Sequence, residues 1–352
     1  MEKILIIKIS SLGDVLHAFP AVSLIAGKYE NAQIDWLINP TFAPILEYNK
    51  CVRRIIPFPR RELASPFTFP RAFVNLIREI RREKYDLVID LQGLLRSAFF
   101  AKFARTHVLA GFDSPKERAA AFFYKRKISS EAEYVHAVDK NAGFISKLLG
   151  LPFNVPDAPL PENRRNMDNL LDILAKKNLP KTDMIIGVAP GARWESKQWP
   201  PQFFAKVMDL LVGRIPGCRF LLLGSADELE ICGKISSSCE TARPLIIAGE
   251  TGIGELVEAI RISKCLLCND SGPMHIAAAL KIPVFAMFGP TAPEKTGPYG
   301  KMHSVFQPEL SCIKCLKRYC PDKNYACHKS VNPDFVAQGI ASRLAVKEFQ
   351  SL

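Results

Sequence analysis

The chain has 352 residues, 48% of them hydrophobic and 23% charged, with a formal net charge of +12 and a mean hydropathy of +0.05. That apolar content excludes a disordered polypeptide, and at about 150 residues per domain the length suggests two cores. No run of about 18 uncharged apolar residues occurs, which excludes a conventional membrane-spanning helix; the basic excess points to an anionic partner such as nucleic acid, a membrane surface or a phosphate-rich substrate.

The opening "MEKILIIKIS" has Lys3 and Lys8 interrupting its apolar run. It lacks the length and cleavage site of a secretory leader, so a cytoplasmic protein is expected. Ile4–Ile9 predicts a strand and Asp14–Ala26 a helix, joined by "SSLGD". Gly13 offers a permissive backbone for the reversal. Ser10 and Ser11 place hydroxyls and amides near the helix N-terminus, where anions are favoured. Asp14 stands where a helix cap belongs, and capping alone explains many such aspartates. The turn is not G-x-G-x-x-G, so the dinucleotide fingerprint is absent.

Further strands are predicted at Gln33–Ile38, Arg54–Ile56 and Leu87–Asp90, with helices at Pro70–Glu83 and Leu94–Ala104. "LPFNVPDAPLPENRRN", Leu151–Asn166, holds four prolines and breaks the periodicity, which marks a linker. The second half repeats the alternation. Strands are predicted at Met184–Ala189, Arg219–Leu223, Leu245–Ala248, Cys265–Cys268 and Val284–Phe288. Helices are predicted at Pro201–Val212, Asp227–Ser237, Ile253–Ile262 and Pro273–Leu280. Continuous apolar strands alternating with helices predict parallel sheets covered on both faces. The expected class is α/β, with two doubly wound domains facing each other across a cleft, 1–160 and 175–330. A last helix, Pro333–Leu352, is expected to pack back on the first domain, so that 331–352 forms a separate closing segment.

Four segments carry more than topology. "SSLGDVLHAFPA", "YDLVIDLQGLLRSA" (Tyr85–Ala98), "PGARWESKQWP" (Pro190–Pro200) and "NDSGPMHIAAAL" (Asn269–Leu280) resemble, in order and spacing, the bacterial ADP-heptose:lipopolysaccharide heptosyltransferases. The resemblance spans Ile4 to about Gly300, and its first motif is most similar to the type I enzymes, which add heptose to Kdo on lipid A. It implies an inverting, metal-independent glycosyltransferase of the GT-B type, acting at the cytoplasmic face of a Gram-negative inner membrane. The donor implied is ADP-heptose and the acceptor Kdo2-lipid A. An already heptosylated inner core, or another nucleotide-sugar donor, is the alternative.

The resemblance also implies roles. Asp14 would be the general base that takes the acceptor hydroxyl proton, and capping would be compatible with that. Lys197, between Trp194 and Trp199, would neutralise the departing diphosphate, as positive charge can do without a metal; Arg193 is a weaker candidate, and a solvated loop lysine is the bland alternative. Gly191 would let a ligand approach the backbone. Ser271 and Gly272 would touch phosphates at a helix N-terminus, with Asp270 meeting the sugar or serving as an N-cap. His275 faces either the site or the core. Glu228 is placed on the ribose hydroxyls, since a carboxylate accepts two hydrogen bonds; Asp227 and Glu230 are the fallbacks. Thr251 is placed beside adenine.

"FPRRELASPFTFPRAF" and "PKERAAAFFYKRK" mix arginines with aromatics in the first half. Arg60, Arg61, Arg96 and Arg118 suit acidic acceptor groups by fork geometry, and His136 matches a family position facing the acceptor. The aromatics would meet acyl chains or headgroups on an anionic membrane. A non-enzymatic basic nucleotide binder is the competing class. Nucleic acid is not expected, because no stacking platform interleaves with a basic stripe.

Six of the ten cysteines are scattered and suit a reduced core. Cys312, Cys315, Cys320 and Cys327 cluster, and a C-x₂-C pair with two further cysteines can close a tetrahedral structural site for zinc or iron. Disulfide or free thiols are the alternatives. This tail is more similar to that of the second heptosyltransferases, which leaves the acceptor open between Kdo and heptose.

Overall fold

The computed structural model describes residues 2–129, 134–179 and 184–348. The chain divides into two units, Met1–Leu160 and Pro161–Leu352, so the boundary falls inside the proline-rich stretch. The first unit is built on β1 (Lys3–Ile7), β2 (Gln33–Ile38), β3 (Val52–Pro57), β4 (Leu87–Asp90), β5 (Leu109–Phe112) and β6 (Arg126–Ile128). They lie in the order β3-β2-β1-β4-β5-β6, all parallel. The second unit uses β7 (Ile185–Ala189), β8 (Arg219–Leu222), β9 (Leu245–Ile246), β10 (Cys265–Asn269), β11 (Val284–Met287) and β12 (Ser304–Phe306). Its order is β9-β8-β7-β10-β11-β12, again parallel.

Both sheets have the doubly wound order, and each reverses direction beside its first strand. Ile7 of β1 pairs with Leu37 and with Asp90. Val188 of β7 pairs with Leu222 and with Leu267. In such sheets the connections leaving the two central strands part to opposite faces and open a crevice at their carboxyl ends. The loops after β1 and β4, and those after β7 and β10, are therefore where side chains can meet a ligand. Strands β7 and β10 are buried along their whole length, which is why their sequences, "IIGVA" and "CLLCN", run apolar without alternation.

Several elements depart from expectation. The first helix is split into Leu12–Leu16 and Phe19–Lys28, because Pro20 opens the second and cannot continue the first. Strands β5, β6 and β12 and the helices Ala137–Leu149 and Arg164–Lys176 were not expected. The last of these belongs to the second unit and occupies the interval left between the two expected domains. The C-terminal helix, Pro333–Glu348, corrects a larger error. Its Val336, Ala337, Ile340 and Leu344 are buried in the second unit's own core with Phe204, Leu211 and Phe285. That apolar face is used within the second unit and not, as expected, on the first domain. The expected continuation to Leu352 lies outside the described residues.

Candidate functional site

In the first unit the site grows from the end of β1. Lys8 is buried, and its Nζ donates to the Leu91 carbonyl after β4 at 2.6 Å. The amides of Ile9 and Ser10 both donate to Gln92 Oε1, at 2.8 and 3.0 Å. The loops after β1 and β4 are thus tied together, and the chain is turned into the helix Leu12–Leu16 with Ser11 at its N-cap.

Asp14 is the third residue of that helix and does cap it. Its Oδ2 accepts from the Ser11 amide at 2.8 Å and from the Ser11 hydroxyl at 2.9 Å. Its Oδ1 makes no hydrogen bond with the described residues. Burial pushes this half-buried carboxyl up, but Lys8, both Ser11 donors and Lys116 together hold it below the ordinary carboxylate range. Burial pushes the Lys8 ammonium down, against the opposing pull of Asp14 and Asp90. The arrangement keeps an ionised carboxylate with one oxygen committed and one available.

Gly13 does not have the expected role. It lies inside the helix, and the left-handed glycine of this site is Gly93, at φ 67°, after β4. A Cβ on Gly93 would press on Pro115 and on the Lys116 amide, so it lets the loop carrying Lys116 come close. His17 follows the Asp14 helix. Its ring meets His136 edge-on at 5.3 Å, and its carbonyl accepts from Asn141 Nδ2 at 3.1 Å. His136 caps the helix Ala137–Leu149, its Nδ1 accepting from the Val138 amide at 3.1 Å. That bond leaves Nε2 as the protonated nitrogen of the neutral ring.

Arg60, Arg61, Arg96 and Arg118 are all exposed. Each follows the carboxyl end of a strand: Arg60 and Arg61 after β3, Arg96 after β4, Arg118 after β5. The Arg96 guanidinium lies 5.8 Å from the Phe58 ring centre.

In the second unit, the loop after β7 and the helix start after β10 converge. Lys197 Nζ pairs with Asp270 Oδ2 at 2.5 Å and stands 4.9 Å from the Trp194 ring centre. Asp270 is buried, and Thr291 Oγ1 donates to the same carboxylate oxygen at 2.6 Å. Asn269 locks the loop from both ends: its Nδ2 donates to the Pro190 carbonyl at 2.7 Å, and its Oδ1 accepts from the Trp199 amide at 3.1 Å. Asp270 is therefore the partner of Lys197, and the N-cap of helix Gly272–Ala279 is Ser271. The Ser271 hydroxyl is buried and without a hydrogen-bond partner among the described residues. Gly272 opens the helix, and His275 is half-buried on it.

Gly191 is explained by Glu228. A Cβ at Gly191 would collide with the Glu228 carboxylate, so the close approach is that of a side chain. Glu228 Oε2 accepts from the Ser225 amide at 2.7 Å. The Gly249 amide donates to the Gly224 carbonyl at 2.9 Å, which joins the loop carrying Thr251 to the Glu228 turn. Arg193, Asp227 and Glu230 are exposed.

Lys8, Gln92, Lys116, Asn269 and Thr291 were missed. Lys8 had a signal, since a lysine closing a buried apolar strand is rare unless paired. The other four show themselves only once the strands are assembled. The clustered cysteines are all unpaired thiols lining one cavity of about 240 Å³. Of the scattered six, Cys218, Cys232, Cys265 and Cys268 are buried core residues, and Cys51 and Cys239 are half-buried.

Residues 73–326 match the profile of Glycosyltransferase family 9 (heptosyltransferase). Lipopolysaccharide heptosyltransferase 1 of Pseudomonas aeruginosa is 31% identical over 326 residues, 90% of this chain and 87% of that protein. Lipooligosaccharide heptosyltransferase 2 of Campylobacter jejuni is 28% identical over 334 residues, 94% of this chain and 95% of that protein. The solved E. coli heptosyltransferase WaaC with ADP has a TM-score of 0.77 at 24% identity, covering 97% of this chain and 99% of that one.

Proposed function

The chain belongs to glycosyltransferase family 9, and on that premise we propose that it moves heptose from ADP-heptose to the Kdo of Kdo2-lipid A, with inversion at the anomeric carbon and no metal in the chemical step. Its fold is GT-B, and it is a glycosyltransferase of lipopolysaccharide core assembly.

Asp14 Oδ1 takes the proton of the acceptor hydroxyl. That oxygen attacks the anomeric carbon from the face opposite the diphosphate. The new glycosidic bond forms as the bond to the diphosphate oxygen breaks, and ADP departs with the electron pair. Lys197 leaves Asp270 for the diphosphate, and the Ser271 hydroxyl and helix-start amides donate to it. Glu228 holds the ribose and Thr251 lies beside adenine, while His136 and the four arginines receive the carboxylates and phosphates of the acceptor. The observation carrying this reading is the divided Asp14 carboxylate, one oxygen fixed by Ser11 and the other available.

Mass spectrometry of the product tests it. ADP-heptose and Kdo2-lipid A should yield a mono-heptosylated lipid, and Asp14→Asn should lower that rate by about 10²–10⁴. Asparagine keeps an oxygen to accept from Ser11 but loses the charge opposite buried Lys8, so the melting temperature should fall modestly while the protein stays folded. Turnover only with an acceptor already bearing heptose would reassign the enzyme to the second transfer. No ADP release with either acceptor would remove the transferase reading of this site.

The acceptor is a lipid, and we propose that the protein docks on an anionic leaflet to reach it. Phe67 and Phe122 are 93% and 88% exposed, on the same connections, after β3 and β5, as Arg61 and Arg118. No helix among the described residues is long and apolar enough to cross a membrane.

A further inference from the structure

The segment from Gln307 to Tyr325 forms no helix or strand. A stretch of that length inside a compact domain needs something to hold it, and its side chains are too exposed to supply a core. Its three cysteines nevertheless share a cavity with Cys327, in the short helix that follows. Cys312, Cys315, Cys320 and Cys327 line one cavity together with Ser196, Gly289 and Pro290. The backbone is left-handed at Lys314 and Leu316, on either side of Cys315, and at Lys323 and Tyr325, after Cys320. Within these turns the Cys320 thiol donates to Asn324 Oδ1 at 3.5 Å. Lys317 lines the same cavity.

The same segment grips the loop that carries Lys197. The Ser196 amide donates to the Arg318 carbonyl at 3.2 Å, and the Ser196 hydroxyl to the Lys317 carbonyl at 2.6 Å. His328, next to Cys327, is buried and donates from Nε2 to the Ser196 carbonyl at 2.7 Å. The Tyr325 hydroxyl donates to Glu195 at 2.5 Å, and Trp199 donates to the His328 carbonyl at 3.0 Å. Arg318 lies 5.8 Å from the centre of the same Trp194 ring that Lys197 faces.

We propose that Cys312, Cys315, Cys320 and Cys327 bind a single thiolate-preferring divalent metal, zinc or ferrous iron, and that this ion braces the Lys197 loop. Among the described residues no three potential ligands yet surround a common point, so the ion draws the sulfurs inward as their protons leave to solvent. Metal–sulfur bonds of about 2.3 Å then close the segment. The ion takes no part in the transfer. Its binding stands independently of the proposed reaction, whereas the bracing rests on Lys197 contacting the nucleotide.

Elemental analysis of freshly purified protein, kept free of oxygen, should find one zinc or iron per chain, and the metal found decides between the two. Cys312→Ser with Cys315→Ser should lose it, and Cys51→Ser, outside the cavity, should keep it. Should the double variant fail to fold, counting reactive thiols on the wild type before and after chelation gives the same answer, because the four should react only once stripped. Stripping should weaken ADP binding, read by calorimetry, by roughly tenfold, within the range usual for coupled sites. Coupling is reciprocal, so ADP should raise the chelator concentration needed to remove the metal by the same factor. A metal-free protein with four reactive thiols, or a disulfide among them, overturns the site. Bound metal with unchanged ADP affinity after stripping overturns the bracing alone. Failure of heptose transfer with both effects present would leave metal and bracing standing and count against the proposed reaction.

Discussion

A carboxylate that caps a helix and also removes a proton needs its two oxygens to do different things, and Asp14 divides them. What keeps it ionised is the neighbour that closes β1. Among the groups that lower the Asp14 carboxyl, Lys8 leads. Because that carboxyl titrates below its ordinary value, the base stays charged through the neutral range, and activity should fall only below about pH 4. Lys8→Met removes the main restraint while burial remains. The Asp14 carboxyl should then titrate higher, and the acid limb of the kcat profile should move upward with it. A limb that does not move would mean that another group limits the rate. Stability follows the same sign. A depressed carboxyl stabilises the fold above its unfolded value and loses that contribution as pH falls through the folded one, so the variant should lose less stability on acidification than the wild type.

The site loops were legible in the sequence because each follows a strand whose apolar run ends at a small or polar residue. The two that matter in the second unit meet because β7 and β10 are neighbours, which no local pattern reveals. Asn269 and Thr291 therefore escaped notice, although they hold Lys197 and Asp270 in place. Strands β5, β6 and β12, "LAGF", "RKI" and "SVF", are only four, three and three residues long, and the first two carry glycine or charge, so they lack the continuous apolar signal. The helix after β10 offers a clean test of anion binding. The Ser271 hydroxyl forms no hydrogen bond with the described residues, so Ser271→Ala should leave the melting temperature unchanged or slightly raised. ADP should bind about tenfold more weakly, the loss of one hydrogen bond to a charged oxygen. Equal affinity would place the phosphates elsewhere. The C-terminal helix was misplaced for a different reason. Its apolar spacing shows that it packs but not on what. Ile340 is fully buried in the second unit's core, and Ile340→Ala should destabilise it by about 2–5 kcal/mol. Hydrogen exchange should rise in peptides from 184–348 and not in those from 3–128; the reverse would restore the original expectation.

At the scale of the molecule, the +12 charge and the exposed aromatics are two separable contributions to membrane affinity. Each basic group near an anionic bilayer contributes about 1 kcal/mol and is weakened by salt. Each phenylalanine moved from water into the headgroup layer contributes up to about 1.5–3 kcal/mol, and salt does not weaken it. Phe67 and Phe122 lie on connections leaving the carboxyl ends of β3 and β5, the edge that also carries Arg61 and Arg118. If both contributions act at one surface, sedimentation with phosphatidylglycerol vesicles should show a fraction of binding that survives high salt. Phe67→Ser with Phe122→Ser should abolish that surviving fraction and leave salt-sensitive binding. Arg61→Gln with Arg118→Gln should weaken the salt-sensitive binding by about 2 kcal/mol and leave the surviving fraction. Turnover of a detergent-dispersed acceptor should be unaffected by the phenylalanine pair, since neither ring has a part in the chemistry, whereas the arginine pair should raise KM. Binding lost entirely at high salt in the wild type would show that charge alone carries the attachment and that the two rings serve another purpose.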